Sequence, residues 1–261
     1  MTGAGIEYLV CDVSAVREAH AHHPWLTSIL SAAEVERSDR LRHASDRTAY
    51  RCAHLVLRLI TARRLGLDAG SAGSLDFTRR CRSCGGSHGK PQVARASADV
   101  SAGAGAGAAG AEVSLSRSGT MLLVASAPPS SPIGVDIEGV PSTVFSGFDD
   151  YVLAPGESAA GCADTDRKRL ELWVAKEAAL KTTGHGLSVE PHKLEVVRTG
   201  DEVSAVDVTD VWTSAISAPE HAELDRLNLT SVPCRPSHAA ALSCADRLPV
   251  TSLKLTDLLS G

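Results

Sequence analysis

The stretch Ile133-Gly-Val-Asp136-Ile-Glu138 gathers residue types that can do chemistry. Read as a strand, its period-two alternation puts Ile133, Val135 and Ile137 on one face and Gly134, Asp136 and Glu138 on the other. Two carboxylates then stand side by side, next to a glycine that leaves room for a ligand. A hard divalent cation with oxygen ligands would relieve their repulsion. The competing reading is a half-exposed strand with an acidic outer face.

A second group lies in Leu170-Glu-Leu-Trp173-Val-Ala-Lys176-Glu177-Ala-Ala-Leu-Lys181. Trp173, Glu177 and Lys181 are spaced four apart and share one face of a helix, with Lys176 beside it. An exposed Glu-to-Lys pair worth about 0.3–0.5 kcal/mol explains the same spacing without any function. The exit Thr182-Thr-Gly184-His-Gly186-Leu187 supplies two glycines where a chain must turn sharply near a ligand. The 26 basic residues divide into 20 arginines and 6 lysines, so a single arginine says little. Lysines are scarce, and Lys90, Lys176 and Lys181 all fall inside motifs. With only 3% aromatic residues, Trp173 is also a rare choice.

Cys81-Arg-Ser-Cys84-Gly-Gly-Ser-His88 has the spacing of half a zinc site, with His88 as a third ligand. The sequence offers no second C-x-x-C for the fourth position, so it reads as a structural turn rather than bound zinc. A redox role is disfavoured, since no thioredoxin-like βαβ pattern surrounds it. His20-Ala-His22-His23 reads as a solvated loop rather than a metal site.

These groups need elements to hold them. Ile6–Val13 reads as an opening strand. Ser31-Ala-Ala-Glu34 is a capping box that opens a charged helical stretch, and Tyr50–Leu65 is a second helix, with Gly66 as its stop. Ser74–Thr78, Thr120–Ala127, Ile133–Glu138, Leu194–Val197, Val203–Thr213 and Ala239–Cys244 read as strands, and Arg167–Thr183 as a helix ended by Gly184. Ala94–Ala111 is Ala, Gly and Ser with almost no bulk, and reads as a flexible surface loop. Pro128-Pro-Ser-Ser-Pro132 punctuates the chain near its midpoint. The expectation is an α+β protein with subdomains at 1–128 and 129–261.

Composition narrows the partners. The 261 residues, 43% hydrophobic, can bury a sizeable core, and the formal charge of -5 argues against a nucleic-acid coat. No apolar run reaches the ~18–20 residues of a membrane span, and Met1–Ala19 lacks the pattern of a signal peptide. Seven cysteines, an odd number scattered along the chain, do not form a disulfide framework. A cytoplasmic protein is expected.

Taken in order, V-G-V-D-x-E followed about forty residues later by W-x-x-K-E-A-x-x-K-x-x-G-x-G-L resembles the signature of the 4′-phosphopantetheinyl transferases, of the larger Sfp type. Here it stands as Ile133–Glu138 and Trp173–Leu187. Gly89-Lys90-Pro91, Ser114-Leu-Ser116 and the arginine-laced helix ending Leu57-Arg58 fall in the family's order, so the resemblance spans about residues 31 to 245. The Cys81–His88 segment and the arginine-rich composition are similar to actinobacterial members.

The resemblance implies two similar α+β subdomains related by pseudo-twofold symmetry, with the site in the cleft between them. It implies transfer of phosphopantetheine from coenzyme A to a serine of an acyl, aryl or peptidyl carrier protein of fatty-acid, polyketide or nonribosomal-peptide synthesis, leaving 3′,5′-ADP. Asp136, Glu138 and Glu177 would ligate Mg²⁺, or Mn²⁺. Glu177, or a water on the ion, would accept the serine proton. Lys181 would stabilise the leaving phosphate and Lys176 hold the pyrophosphate, while Lys90 and Pro91 line the coenzyme A site. Arg37, Arg79 and Ser116 join that site, the two arginines serving as phosphate contacts or else as solvated surface. A monomer that binds neither nucleic acid nor membrane is implied. Carrier surfaces are usually acidic, so the net charge calls for a local basic or apolar docking patch. The alternative is a carrier-binding module without catalysis, stapled by Cys81 and Cys84.

Two departures stand out. The family's Ser-His-Ser is Ser116-Arg117-Ser118 here, so Arg117 could replace the histidine with a permanent charge and a forked donor, or be too long to fit. The Ala94–Ala111 segment is also longer than the usual link.

Overall fold

The computed structural model describes residues 4–94, 110–160, 164–199 and 211–259. Strand β1 (Ile6–Asp12) ends where Asp12 caps helix α1 (Val13–His22), its carboxylate accepting the Ser14 N–H at 2.8 Å. His20 and His22 therefore belong to a helix, not to the loop expected from the sequence. The Ser31–Glu34 capping box is present and starts α2 (Ala32–Asp39). Helix α3 (Ala44–Arg64) begins six residues before the sequence expectation. Its first turns lack an apolar stripe and are anchored by Arg47, which donates to the Leu41 and Arg42 carbonyls.

A short antiparallel pair follows, β2 (Asp76–Arg79) and β3 (Pro91–Ala94). Most of the Ala94–Ala111 segment lies outside the described residues. Strands β4 (Glu112–Ser118) and β5 (Met121–Ala127) form a hairpin that turns at Gly119 (φ +57°), and β6 (Ile133–Gly139) comes next. Then follow α4 (Phe148–Val152), α5 (Thr165–Thr183), β7 (Glu195–Arg198), β8 (Ser214–Ser217), β9 (Asn228–Ser231), β10 (His238–Cys244), β11 (Val250–Ser252) and α6 (Leu255–Leu259). Of the strand expected over Val203–Thr213, residues 203–210 lie outside the described set. Residues 211–213 are irregular, and pairing starts at Ser214.

Two sheets organise the chain. One runs β11-β1-β5-β4 and the other β6-β10-β9-β8-β7. Helix α3 covers one face of the first sheet and α5 one face of the second. Between the sheets lies a shared apolar core, with Ile6, Leu123 and Ala125 from one and Ile133, Val135, Ile137 and Leu242 from the other. Segregated helices on mainly antiparallel sheets make the α+β class that the sequence implies. The chain does not divide cleanly at its midpoint, however. Strand β11 pairs in parallel with β1, so the last strand and helix return to the first sheet.

The junction between the sheets positions the site. Strands β4 and β6 lie edge to edge, bridged by serine side chains. Ser114 Oγ accepts the Val135 N–H at 3.1 Å, and Ser118 Oγ accepts the Gly139 N–H at 3.0 Å. Ser114, Ser116 and Ser118 share one face of β4 by the strand's alternation, so all three hydroxyls reach β6.

Candidate active site

The alternation read in β6 is borne out: Ile133, Val135 and Ile137 enter the shared core, and the opposite face meets α5. Gly134, however, does not make room for a ligand. A Cβ there would lie 2.0 Å from the Ala178 carbonyl oxygen and 2.4 Å from the Thr182 nitrogen. The missing side chain is what lets α5 pack against the strand. That close approach carries Glu177 and Lys181 over Asp136 and Glu138.

Asp136 is 2% exposed, which disposes of the half-exposed acidic strand. Its Oδ1 accepts from Lys181 Nζ at 2.6 Å and from Ser116 Oγ at 2.7 Å. Lys181 Nζ also donates to Ser116 Oγ at 3.1 Å. The lysine thus pairs from α5 to β6 with Asp136, in place of the local i,i+4 pair with Glu177. Glu138 accepts from Ser118 Oγ at 2.7 Å. Burial, with Asp136 alongside, pushes the Glu138 carboxyl above its usual range. Burial raises Glu177 further, to about 7, with Asp136 and Glu138 adding to the shift and Lys181 opposing it.

Three carboxylates against one ammonium leave a formal excess of two negative charges in a largely buried space. Asp136 Oδ2 and Glu177 Oε1 are buried with no hydrogen-bond donor among the described residues. Such oxygens are costly unless something positive meets them. An all-oxygen donor set with that charge fits Mg²⁺ or Mn²⁺.

A basic group flanks the carboxylates on the first half. Arg79, Arg37 and Arg117 all lie close enough for their charges to act on the Tyr50 hydroxyl, against the rise that burial gives it. Among the described residues no carboxylate pairs with Arg37 or Arg79, and Arg117 lies 3.7 Å from Asp46. Beneath them, Tyr50 stacks on His54 with ring centroids 4.1 Å apart. His54 Nδ1 meets Glu34 at 2.9 Å, and Arg58 Nε donates to the same carboxylate at 2.8 Å. Burial would raise Glu34, but the His54, Ser31 and Arg58 hydrogen bonds hold it down at about 2. The capping-box glutamate is therefore also the counter-charge of a buried network.

Lys90 joins the halves, donating to Glu112 at 2.8 Å and to the Thr182 carbonyl at 3.0 Å. Pro91 is buried and pairs in register with Arg79. Lys176 is a correction. Its ammonium is fully buried and bonds to Glu157 and the Val152 carbonyl, away from the carboxylate group.

Sequence reading gave no role to Ser118, Tyr50 or Glu157. Ser118 had a signal in the S-L-S-R-S alternation, which matches that of the D-x-E strand; Tyr50 and Glu157 had none.

One comparison bears on this arrangement. Residues 132–236 match the model of the 4′-phosphopantetheinyl transferase superfamily. The match takes in β6, α5 and most of the second sheet, hence Asp136, Glu138, Glu177 and Lys181. It supports a superfamily transferase that moves a phosphopantetheine group. Arg37, Arg79, Lys90 and Arg117 lie outside the matched span. No curated protein matches the chain significantly. Among the described residues, no helix is long and apolar enough to cross a membrane.

Proposed function

We propose that the chain transfers 4′-phosphopantetheine from coenzyme A to a serine hydroxyl of an apo carrier protein and releases 3′,5′-ADP. The observation that carries this reading is the pair of buried, donor-less oxygens, Asp136 Oδ2 and Glu177 Oε1, in a carboxylate group with Lys181. Asp136, Glu138 and Glu177 would hold Mg²⁺, which when bound supplies charge neutralisation for the pyrophosphate.

The remaining chemistry belongs to the chain. The serine oxygen attacks the pantetheine-bearing phosphorus, and the bond from that phosphorus to the bridging oxygen breaks. The serine proton passes to a carboxylate oxygen of Glu177 acting as general base. Lys181 stabilises the charge growing on the departing 3′,5′-ADP. Arg37, Arg79 and Arg117 hold coenzyme A phosphate as a preformed cationic group. Lys90 and Pro91 fix the strand pair that carries Arg79, and the proposed symmetry of the halves places the substrate between them. Lys176 has no part in substrate binding.

Incubating an apo carrier protein with coenzyme A, Mg²⁺ and the enzyme should add one phosphopantetheine to its mass. The Asp136→Ala and Glu177→Ala variants, folded by circular dichroism, should lose at least ~10³-fold of that rate, since the lost charge stabilisation is worth several kcal/mol. No mass gain with any carrier class, or full activity in both variants, would overturn the assignment.

A further inference from the structure

The Cys81–His88 segment lies outside the reaction just described, and its geometry is unusual for a plain turn. We infer that Cys81, Cys84 and His88 bind one zinc ion, which shapes the β2–β3 connection and through it the contact between the two halves.

The two sulfurs and a ring nitrogen of His88 all lie within 4.8 Å of one another. Cys84 Sγ and His88 Nε2 are 3.0 Å apart. Tetrahedral zinc, at about 2.3 Å from sulfur and 2.0 Å from nitrogen, needs ligand atoms roughly 3.5–3.8 Å apart, so only a small adjustment is required. Both cysteines are free thiols.

The backbone is folded to serve those sulfurs. Cys81 N–H donates to the Gly86 carbonyl at 2.8 Å, and Gly85 N–H donates to the Cys81 carbonyl at 2.9 Å. Gly86 N–H points at Cys84 Sγ at 3.4 Å. N–H groups directed at sulfur favour thiolate, the form that ligates metal.

The glycines make this convergence possible. Gly85 has φ +71°, which a side chain would strain. A Cβ on Gly86 would stand 3.1 Å from the His88 ring and 3.2 Å from Cys84 Sγ, wedging the two ligands apart. A Cβ on Gly89 would lie 2.1 Å from the Arg80 carbonyl oxygen.

Two thiolates and an imidazole select zinc over the hard cations that suit the carboxylate group. Cys84 and His88 face solvent, so water takes the fourth position. The role is structural, as the loop ties distant parts together. Arg37 Nη1 donates to the Ser87 carbonyl at 2.8 Å. Arg82 Nη1 donates to the Thr183 carbonyl at 2.9 Å, at the C-terminal end of α5, and pairs with Glu223.

The test does not require transferase activity. Reduced, metal-free full-length chain is titrated with Co²⁺, which reports thiolate ligation by a sulfur-to-metal charge-transfer band. The expected result is one equivalent bound with that band, displaced by one equivalent of Zn²⁺, and a melting temperature raised by the ion. Cys81→Ser/Cys84→Ser should abolish the band, and His88→Ala should weaken binding at least tenfold. The triple variant His20→Ala/His22→Ala/His23→Ala should bind as the wild type does. No charge-transfer band in the reduced wild-type chain would overturn the proposal whatever the variants do. So would a band that survives in the double serine variant.

Discussion

At the residue scale, the site is a problem of unsatisfied charge. Glu177 is held at about 7 by burial, against an ordinary value of 4.5. Between those values the unfolded chain has given up its proton while the folded chain keeps it. The group's contribution to stability therefore falls as pH rises through this window. In EDTA at pH 8, Glu177→Gln should be more stable than wild type by about 1–3 kcal/mol, with little difference at pH 4. Added Mg²⁺ should stabilise the wild type and not the variant. Urea unfolding at the two pH values measures this, and a variant no more stable at pH 8 would contradict it. The residue that provides the function is thus one that the metal-free fold would be better without.

Arg117 is the second residue whose charge can be tested singly. With Arg37 and Arg79 it lies within electrostatic reach of Tyr50, and its proposed role is contact with a remote phosphate of coenzyme A. Such a contact binds ground and transition states alike, so Arg117→Ala should raise KM for coenzyme A about tenfold or more and leave kcat within about threefold. If the 3′-phosphate is its target, KM for dephospho-coenzyme A should hardly change. Equal losses with both substrates would shift the contact to the pyrophosphate. Arg117→His should recover part of the loss, and more at pH 6 than at pH 8.

At the element scale, α5 does two jobs on two faces. One face delivers Glu177 and Lys181 to β6, through the gap left by Gly134. On another, Lys176 is buried against Glu157, and Glu157 also accepts the Ala154 and Val196 N–H groups. Breaking a buried pair by removing one partner leaves an uncompensated charge. Lys176→Ala should cost about 3–5 kcal/mol of stability. Replacing both partners with apolar residues, as Lys176→Met/Glu157→Leu, should recover part of that, less the loss of the glutamate's backbone bonds. In the folded double variant KM for coenzyme A should stay near the wild-type value. A selective rise in that KM would return Lys176 to the substrate site.

At the scale of the whole molecule, the chain's end closes its beginning. Strand β11 pairs with β1, Leu253 N–H donates to the Tyr8 carbonyl at 2.7 Å, and Leu253 and Leu258 are buried in the first half's core. Removing residues 249–261 should cost about 3–6 kcal/mol, at roughly 1.5–3 kcal/mol per buried leucine. It should also expose the β1 edge to aggregation. A truncated chain that melts with the wild type would show that this closure is dispensable.

The features legible in the amino-acid order alone were mostly local. The faces of β6, the capping box at Ser31 and the stop of α5 at Gly184 follow from periodicity and spacing, because strand and helix repeats are short-range geometry; that Asp136 and Glu138 belong with Glu177 and Lys181 came only from the resemblance of the ordered motifs to a family. Tertiary structure decided whatever depends on neighbours distant in the chain. It sent Lys181 to Asp136 rather than Glu177, turned Lys176 toward Glu157, and gave the space at Gly134 to a helix rather than a ligand. It also joined β4 to β6 through serines and returned β11 to β1. These outcomes rest on which surfaces meet, and burial then sets the charge each group can bear. The same proximity brought Cys81, Cys84 and His88 together, because the C-x-x-C spacing leaves open where its sulfurs point until the glycines fold around them.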